Sequence, residues 1–274
     1  MQARGGQREH GEAPEATQTL ERALKLLVAF RADSKPLSNA ELALRTGFSK
    51  ASVSRITHSL VAMGYLDRSA DQLRFQIGRK SHLLGQAFLC ASPLEQAARP
   101  IMQAFADAHD VSVALAIPNQ LDMLYLQCCN SCRSATLRHG IGSMVPIGLT
   151  SIGRAWLSAQ DLDTRERYTR NLLSRAADAK ALDMALARAF QEFQSGHYCT
   201  ALGEYQRDAF GVATVVEIGA ASTVMGLSFG AVSVAPDLTH IRQVLARALI
   251  EAAAALKQAC QGLGGAAKHE PGET

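Results

Sequence analysis

Between Ser49 and Val61 the polar and apolar residues separate at helical spacing. Val53, Ile56, Leu60 and Val61 fall on one side, and Ser49, Lys50, Ser52, Ser54, Arg55, His58 and Ser59 on the other. This is binding chemistry rather than bond-breaking chemistry. Lysine and arginine reach phosphate oxygens and base edges, and small hydroxyl residues let a helix lie close against a nucleic-acid groove. Ser38, Arg68 and Arg74 flank the same segment and complete the set of candidate DNA-binding residues.

The elements that must position these groups follow from local signals. Ser38 is an N-cap and Glu41, three residues on, completes a capping box. Leu42 and Ala43 face inward beside Leu37, and Gly47 ends the helix because glycine takes the left-handed conformation at little cost. Phe48 plugs the turn, Ser49 caps the second helix and Gly64 ends it. Two short alternating runs, Leu66 to Gly78, then flank a turn at Ser69-Ala70-Asp71, with Arg68 and Arg74 beside the tip. Two helices, a tight turn and a hairpin make a winged helix-turn-helix. Charge agrees: Arg22 to Lys80 holds 11 Lys and Arg against 4 Asp and Glu, a net of +7, in a chain whose total is only +3. A basic block coincident with such a motif is the footprint of phosphate binding.

The 274 residues suggest two domains, and 47% hydrophobic content suffices for real cores. No apolar run approaches the roughly 20 residues of a membrane span, and residues 1–17 lack the apolar core of a secretory signal. Residues 1–17 and 262–274 read as disordered tails, and the protein as cytoplasmic. The six cysteines, Cys90, Cys128, Cys129, Cys132, Cys199 and Cys260, are scattered as free thiols would be. Cys129 and Cys132 have CxxC spacing, with Cys128 a third sulfur and His139 the nearest fourth ligand, but the stretch reads better as the packed end of a strand. No metal or other cofactor is expected. Gly226-Leu227-Ser228-Phe229-Gly230 matches GxSxG, yet AVSVAP follows it as continuing strand, and Asp237 and His240 lie too close together for separate triad arms. The Gly140-Ile141-Gly142 run lacks the third glycine of a nucleotide loop.

Along the chain, Thr19 is expected to cap a first helix with Leu20, Leu24, Leu27 and Val28 on one face, closed by Lys35-Pro36. Residues 18–78 read as the DNA-binding domain, 79–92 as a linker helix and 93–261 as a second, α+β domain. The last begins with a helix, Pro93 to His109, carrying Leu94, Ala97, Ile101 and Phe105 in register. Strands follow at Val111–Ile117 and Leu121–Cys128, with a third at Ser134–Arg138. A short helix at Thr150–Ser158, two helices near 161–174 and 181–194, three strand-like runs after Gly196 and a long helix from Asp237 to Cys260 complete an α+β pattern.

Four segments in order resemble the IclR family of bacterial transcription regulators. They are Thr19–Leu24; Leu42-Ala43 through Gly47, Ser49–Arg55 and Gly64-Tyr65; Val145–Leu157; and Phe193, Gly196-His197-Tyr198, Gly203-Glu204 and Gly211-Val212-Ala213. The resemblance spans about Gln18 to Leu256. It implies an N-terminal winged helix-turn-helix, a linker helix and a C-terminal GAF-like ligand-binding domain, assembled as a homodimer or dimer of dimers on double-stranded operator DNA. It also implies a pocket for a small organic or aromatic acid, with Gly148, Leu149, Thr150, Ile152, Gly153, Thr214 and Ser228 as effector residues. A helix N-terminus at Thr150-Ser151 suits a carboxylate, and Met144, Leu149 and Ile152 would supply apolar walls. Where relatives repeat serine two residues along the last strand, this chain has Ser228 and then Gly230, which leaves effector identity open. Each pocket residue could instead only pack the core.

Two other functions compete: an enzyme built on the C-terminal domain, and an architectural DNA binder without effector. The +7 block and the 49–61 helix face favour a regulator over the first, and a whole second domain argues against the other. In the regulator, effector would reorder the Gly140–Ser151 loop and act through the linker helix on two reading heads.

Overall fold

The computed structural model describes residues 15–30, 35–133, 139–218, 223–232 and 237–261. The chain divides into two compact units after Phe88. The expected strand at Ser134–Arg138 and the tails at 1–14 and 262–274 lie outside the described residues.

The first unit contains α1 (Glu15–Val28), β1 (Leu37–Ser38), α2 (Asn39–Thr46), α3 (Lys50–Ala62), β2 (Leu66–Arg68) and β3 (Arg74–Ile77). The unit boundary falls inside α4 (Arg79–Ala91). Its core is Leu26, Leu37, Leu42, Val53, Ile56, Leu60, Leu66 and Phe75. Both caps of the helix-turn-helix form as the local signals require. Ser38 Oγ accepts from Glu41 N at 3.3 Å while Glu41 Oε2 accepts from Ser38 N at 2.8 Å. Gly47 takes φ +72° and closes α2 through its N–H to Ala43 O. The hairpin turn runs longer than Ser69–Asp71, with Gln72 at φ +61°.

The expectations for α1 are corrected here. α1 begins at Glu15, so Thr19 lies within the helix rather than at its cap, and residues 15–17 are helical. Its buried side is Leu26, with Ala23 and Leu27 packed beside it; Leu20, Leu24 and Val28 are 61%, 54% and 73% exposed. Leu20, Leu24 and Val28 do share a face, but α2 and α3 meet the opposite one. Finally, β1 pairs with β3, Leu37 against Phe75, making a three-stranded sheet that two residues of sequence did not announce.

The second unit is a six-stranded antiparallel sheet in the order β6-β5-β4-β9-β8-β7. The strands are β4 (Ser112–Asn119), β5 (Asp122–Asn130), β6 (Met144–Pro146), β7 (Cys199–Leu202), β8 (Ala209–Ile218) and β9 (Thr223–Val232). One face packs on α5 (Pro93–His109) and on the C-terminal α10 (Ala246–Ala259), burying Val113, Leu115, Val212, Leu227 and Phe229. The other packs on α6 (Ser151–Ser158), α7 (Leu162–Arg175) and α8 (Ala179–Gly196) through Ile152, Trp156, Leu157, Leu172 and Leu186. The α5 stripe is rotated from the expected one: Ala98, Met102, Phe105 and Ala106 are buried, and Leu94, Ala97 and Ile101 only partly so. The long C-terminal helix is broken into α9 (Leu238–His240), a π turn (Ile241–Leu245) and α10.

One irregularity decides which side chains face which side. Leu115 opposes Gln127 but Ala116 opposes Tyr125, so Leu126 is skipped as a bulge. Tyr125 and Cys128, which strict alternation would place on opposite faces, therefore share a face.

Candidate DNA-reading surface and effector cavity

In the N-terminal unit, α3 presents Lys50, Ser54, Arg55 and His58 exposed to solvent. Ser49 is its N-cap, accepting from Ser52 N at 3.3 Å and donating to Ser52 Oγ at 3.2 Å. These two serines thus serve the helix end first. Thr57, buried, ties α3 to α2 through Asn39 Oδ1 at 3.2 Å. The wing arginines are more committed. Arg68 donates to Gln72 O at 3.0 Å and lies over Phe75, bracing the hairpin from within. Arg74 donates to Pro36 O at 3.1 Å and to both Glu41 oxygens, so its charge holds β3 to the start of α2. Ser38 is likewise occupied with Glu41. These hydrogen bonds, first from the Ser38 hydroxyl and backbone and then from Arg74, hold the Glu41 carboxyl at about 2. The structure therefore separates a free surface on α3 from a set, Ser38, Arg68 and Arg74, engaged in building the unit.

In the C-terminal unit a cavity opens on the α6 side of the sheet. It offers about 80 Å³ to water centres, several times what one water needs. Its floor is the sheet: Ser112, Ala114, Tyr125, Cys128, Ser228 and Gly230. Ala114 opposes both Cys128 and Ser228 in the ladders, so these side chains stand together. Leu149, Thr150, Ser151 and Ile152 form one wall. Thr150 caps α6, accepting from Gly153 N at 3.4 Å and donating to Pro146 O at 2.7 Å. First-turn amides of a helix have no intrahelical acceptor, so this wall attracts anionic groups. Opposite it, His139 stacks on Tyr205 with ring centroids 5.8 Å apart and meets Gln206 Nε2 at 3.0 Å.

Burial pushes the Tyr125 phenol up, opposed by its hydrogen bond with Ser228. Burial likewise raises Cys128, to about 11, and lowers His139. The site thus holds a neutral thiol, a neutral phenol and a neutral imidazole near pH 7. Ser112 Oγ, buried on the floor, has no hydrogen-bond partner among the described residues. Behind the wall, buried Arg154 donates Nε to Gly148 O at 2.9 Å and Nη1 to Glu204 Oε1 at 3.0 Å, with a second contact from Nη2 to Glu204 Oε2. That pair pins the 203–208 turn to α6.

Of the expected effector residues, Leu149, Thr150, Ile152 and Ser228 line this cavity; Met144, Gly148, Gly153 and Thr214 do not. Thr214 opposes Leu227 and so faces the α5–α10 side, where its hydroxyl donates to His197 O at 2.7 Å. A Cβ on Gly153 would stand 2.3 Å from the Ile147 Cα: this glycine exists for close packing of α6 on the preceding 3-10 turn (Ile147–Leu149). A Cβ on Gly148 would meet only the end of the Leu182 side chain, at 3.0 Å. Met144 sits on β6 with its sulfur near Asn119 Nδ2. Tyr125, His139, Tyr205, Gln206 and Ser112 were missed. The bulge hid Tyr125, and the others come from a turn and a strand end that carry no periodic signal.

Ser228 lies within β9, which continues to Val232, with no strand–helix elbow after it. Among the described residues no cluster of three or more His, Cys, Asp or Glu could hold a metal, and the His139 ring faces Gln206 and Tyr205 rather than Cys128. Among the same residues no helix is long and apolar enough to cross a membrane.

Residues 19–70 match the IclR helix-turn-helix domain and residues 86–258 the bacterial transcriptional regulator IclR C-terminal domain. The chain belongs to the IclR family. As an IclR-family protein it is a DNA-binding transcriptional regulator with a C-terminal effector-binding domain. It is similar to the HTH-type transcriptional regulator TsaQ1/TsaQ2 of Comamonas testosteroni, 28% identical over 199 residues and 71% of each chain. A solved IclR-family transcriptional regulator from Brucella abortus superposes with TM-score 0.77 at 31% identity, covering 92% of this chain and 96% of that one. An IclR homolog from Microbacterium hydrocarbonoxydans, solved in complex with 4-hydroxybenzoate, shares the fold at 20% identity and TM-score 0.66, over 89% and 99% of the two chains.

Proposed function

We propose that this IclR-family regulator reads double-stranded operator DNA with the exposed face of α3, and that a small organic acid, aromatic in the first instance, enters the C-terminal cavity and sets operator affinity. The observation that carries the effector reading is the Ser112 hydroxyl, buried on the cavity floor it shares with Tyr125 and Ser228 and without a hydrogen-bond partner among the described residues. A buried hydroxyl left unsatisfied is costly, and a bound polar group would relieve it. A carboxylate would lie at the α6 N-terminus and a hydroxyl or ring edge at the serines. Leu149, Thr150, Ile152 and Ser228 act as effector residues; Lys50, Ser54, Arg55 and His58 act on DNA. The 18–78, 79–92 and 93–261 divisions, a cytoplasmic homodimer or dimer of dimers, and the absence of enzymatic turnover belong to the same reading.

The test is an anisotropy titration against DNA upstream of the protein's own and neighbouring genes, with and without 4-hydroxybenzoate and related acids, at two salt concentrations. Tight binding to one fragment that survives competitor and shifts with one acid supports the reading. A sequence-specific complex that no acid shifts, with no acid altering Trp156 fluorescence, removes the effector half.

A further inference from the structure

The groove between α1 and α3 brings two arginines together. Its polar lining is Gln18, Thr19, Arg22, Ser52, Arg55 and Ser59, and no Asp or Glu is among its described lining residues. Arg22 stands 5.9 Å from the centroid of the Phe48 ring, which fixes it beside the turn that precedes α3. Its neighbour Glu21 is paired first with Lys25, at 2.7 Å, and feels the Arg22 charge only as its weakest influence. Two arginines sharing one groove repel each other unless an anion lies between them. Their forked donors match phosphate oxygens, and the Ser52 hydroxyl, which accepts from Ser49 Oγ, lines the same groove.

We propose that this groove seats a DNA backbone phosphate, held jointly by Arg22 of α1 and Arg55 of α3. Arg55 then positions the protein on the duplex, and sequence is read by the neighbouring Lys50, Ser54 and His58 face. The proposal rests on the assignment of α3 to DNA. It extends the contact surface to a helix outside the helix-turn-helix, and it takes Arg55 out of base reading.

The experiment is binding of the full-length protein to its operator duplex and to a scrambled duplex across a salt series, for the wild type, Arg22→Ala, Arg55→Ala and Arg22→Lys, with melting temperature recorded for each. Each alanine variant is expected to weaken both duplexes by the same factor. Each should also shrink the slope of log K against log salt by about 0.9, the share of one phosphate. Arg22→Lys should keep the slope. An unchanged slope in Arg22→Ala overturns the proposal, as does an Arg55→Ala protein that loses only its operator preference. Should Arg22→Ala melt early because Phe48 loses its partner, Arg22→Gln repeats the test with the side-chain stem retained. A wild type that binds neither duplex at any salt brings down the DNA assignment itself; a wild type that binds, with slopes indifferent to Arg22, brings down the groove alone.

Discussion

Arg154 is a charge held almost entirely out of water, and its burial is tolerable only because Gly148 O and the Glu204 carboxylate take its donors. Removing one member of such a pair leaves the other unpaired. Glu204→Ala should therefore cost about 3–5 kcal/mol, at the lower end because Glu204 is partly exposed, as read by denaturant unfolding followed at Trp156. Gly153→Ala should be worse tolerated than a typical surface change, since its Cβ meets backbone rather than a movable side chain; loss of soluble, cooperatively unfolding protein is expected. Glu41 gives a pH prediction. Its folded value of about 2 lies below the ordinary 4.5, so its contribution is complete above 4.5 and fades as pH falls toward 2. Acid titration of the N-terminal unit should show this decline in the wild type, and Glu41→Gln should flatten it. Ser38, Glu41 and Gly47 were legible in the sequence because capping is a contract between residues three or four apart. Arg74 was legible as a base but not as Glu41's partner, because that contact spans a hairpin.

At the scale of elements, the aromatic closure over the cavity joins two turns that no periodicity marks: His139 from one side, Tyr205 and Gln206 from the other. Burial lowers His139 from 6.5, so the unfolded chain binds its proton more readily than the fold does. Stability should fall as pH drops below 6.5 toward the folded value, then level off. The C-terminal unit should show that dependence, and His139→Gln should abolish it; an unchanged profile in the variant would assign the effect elsewhere. Helices and strands of the second unit were largely readable from composition and alternation. The α1 and α5 stripes were not read correctly, because apolar residues occupy more than one face of each helix and only the neighbours decide which is buried. Thr214 was misplaced for a related reason: resemblance gives the strand, while register gives the side.

At the scale of the molecule, two units with separate cores should respond separately to ligand. The single tryptophan, Trp156, is buried on α6 against Tyr168 in the C-terminal unit. An effector at a hundred times its dissociation constant should stabilise that unit by about 2.7 kcal/mol. Melting followed at Trp156 should shift upward accordingly, while in the same sample hydrogen exchange of the α3 amides should not slow to the same degree. Equal protection of α3 would show that the two units unfold as one. The order of domains, the fold class and the family were legible from the chain because each rests on many residues at once. The cavity was only half legible, because its floor depends on a single skipped residue.

That skipped residue has an evolutionary consequence. With Leu126 bulged out, Cys128 faces the cavity and Gln127 opposes Leu115 on the other side. A chain of the same length without this bulge would run in strict alternation, and the residues beyond it would change faces without any substitution. In this lineage of sensors, ligand preference can therefore drift by the register of a strand as well as by its letters. Relatives aligned residue for residue across β5 would then appear to share a binding surface that they do not.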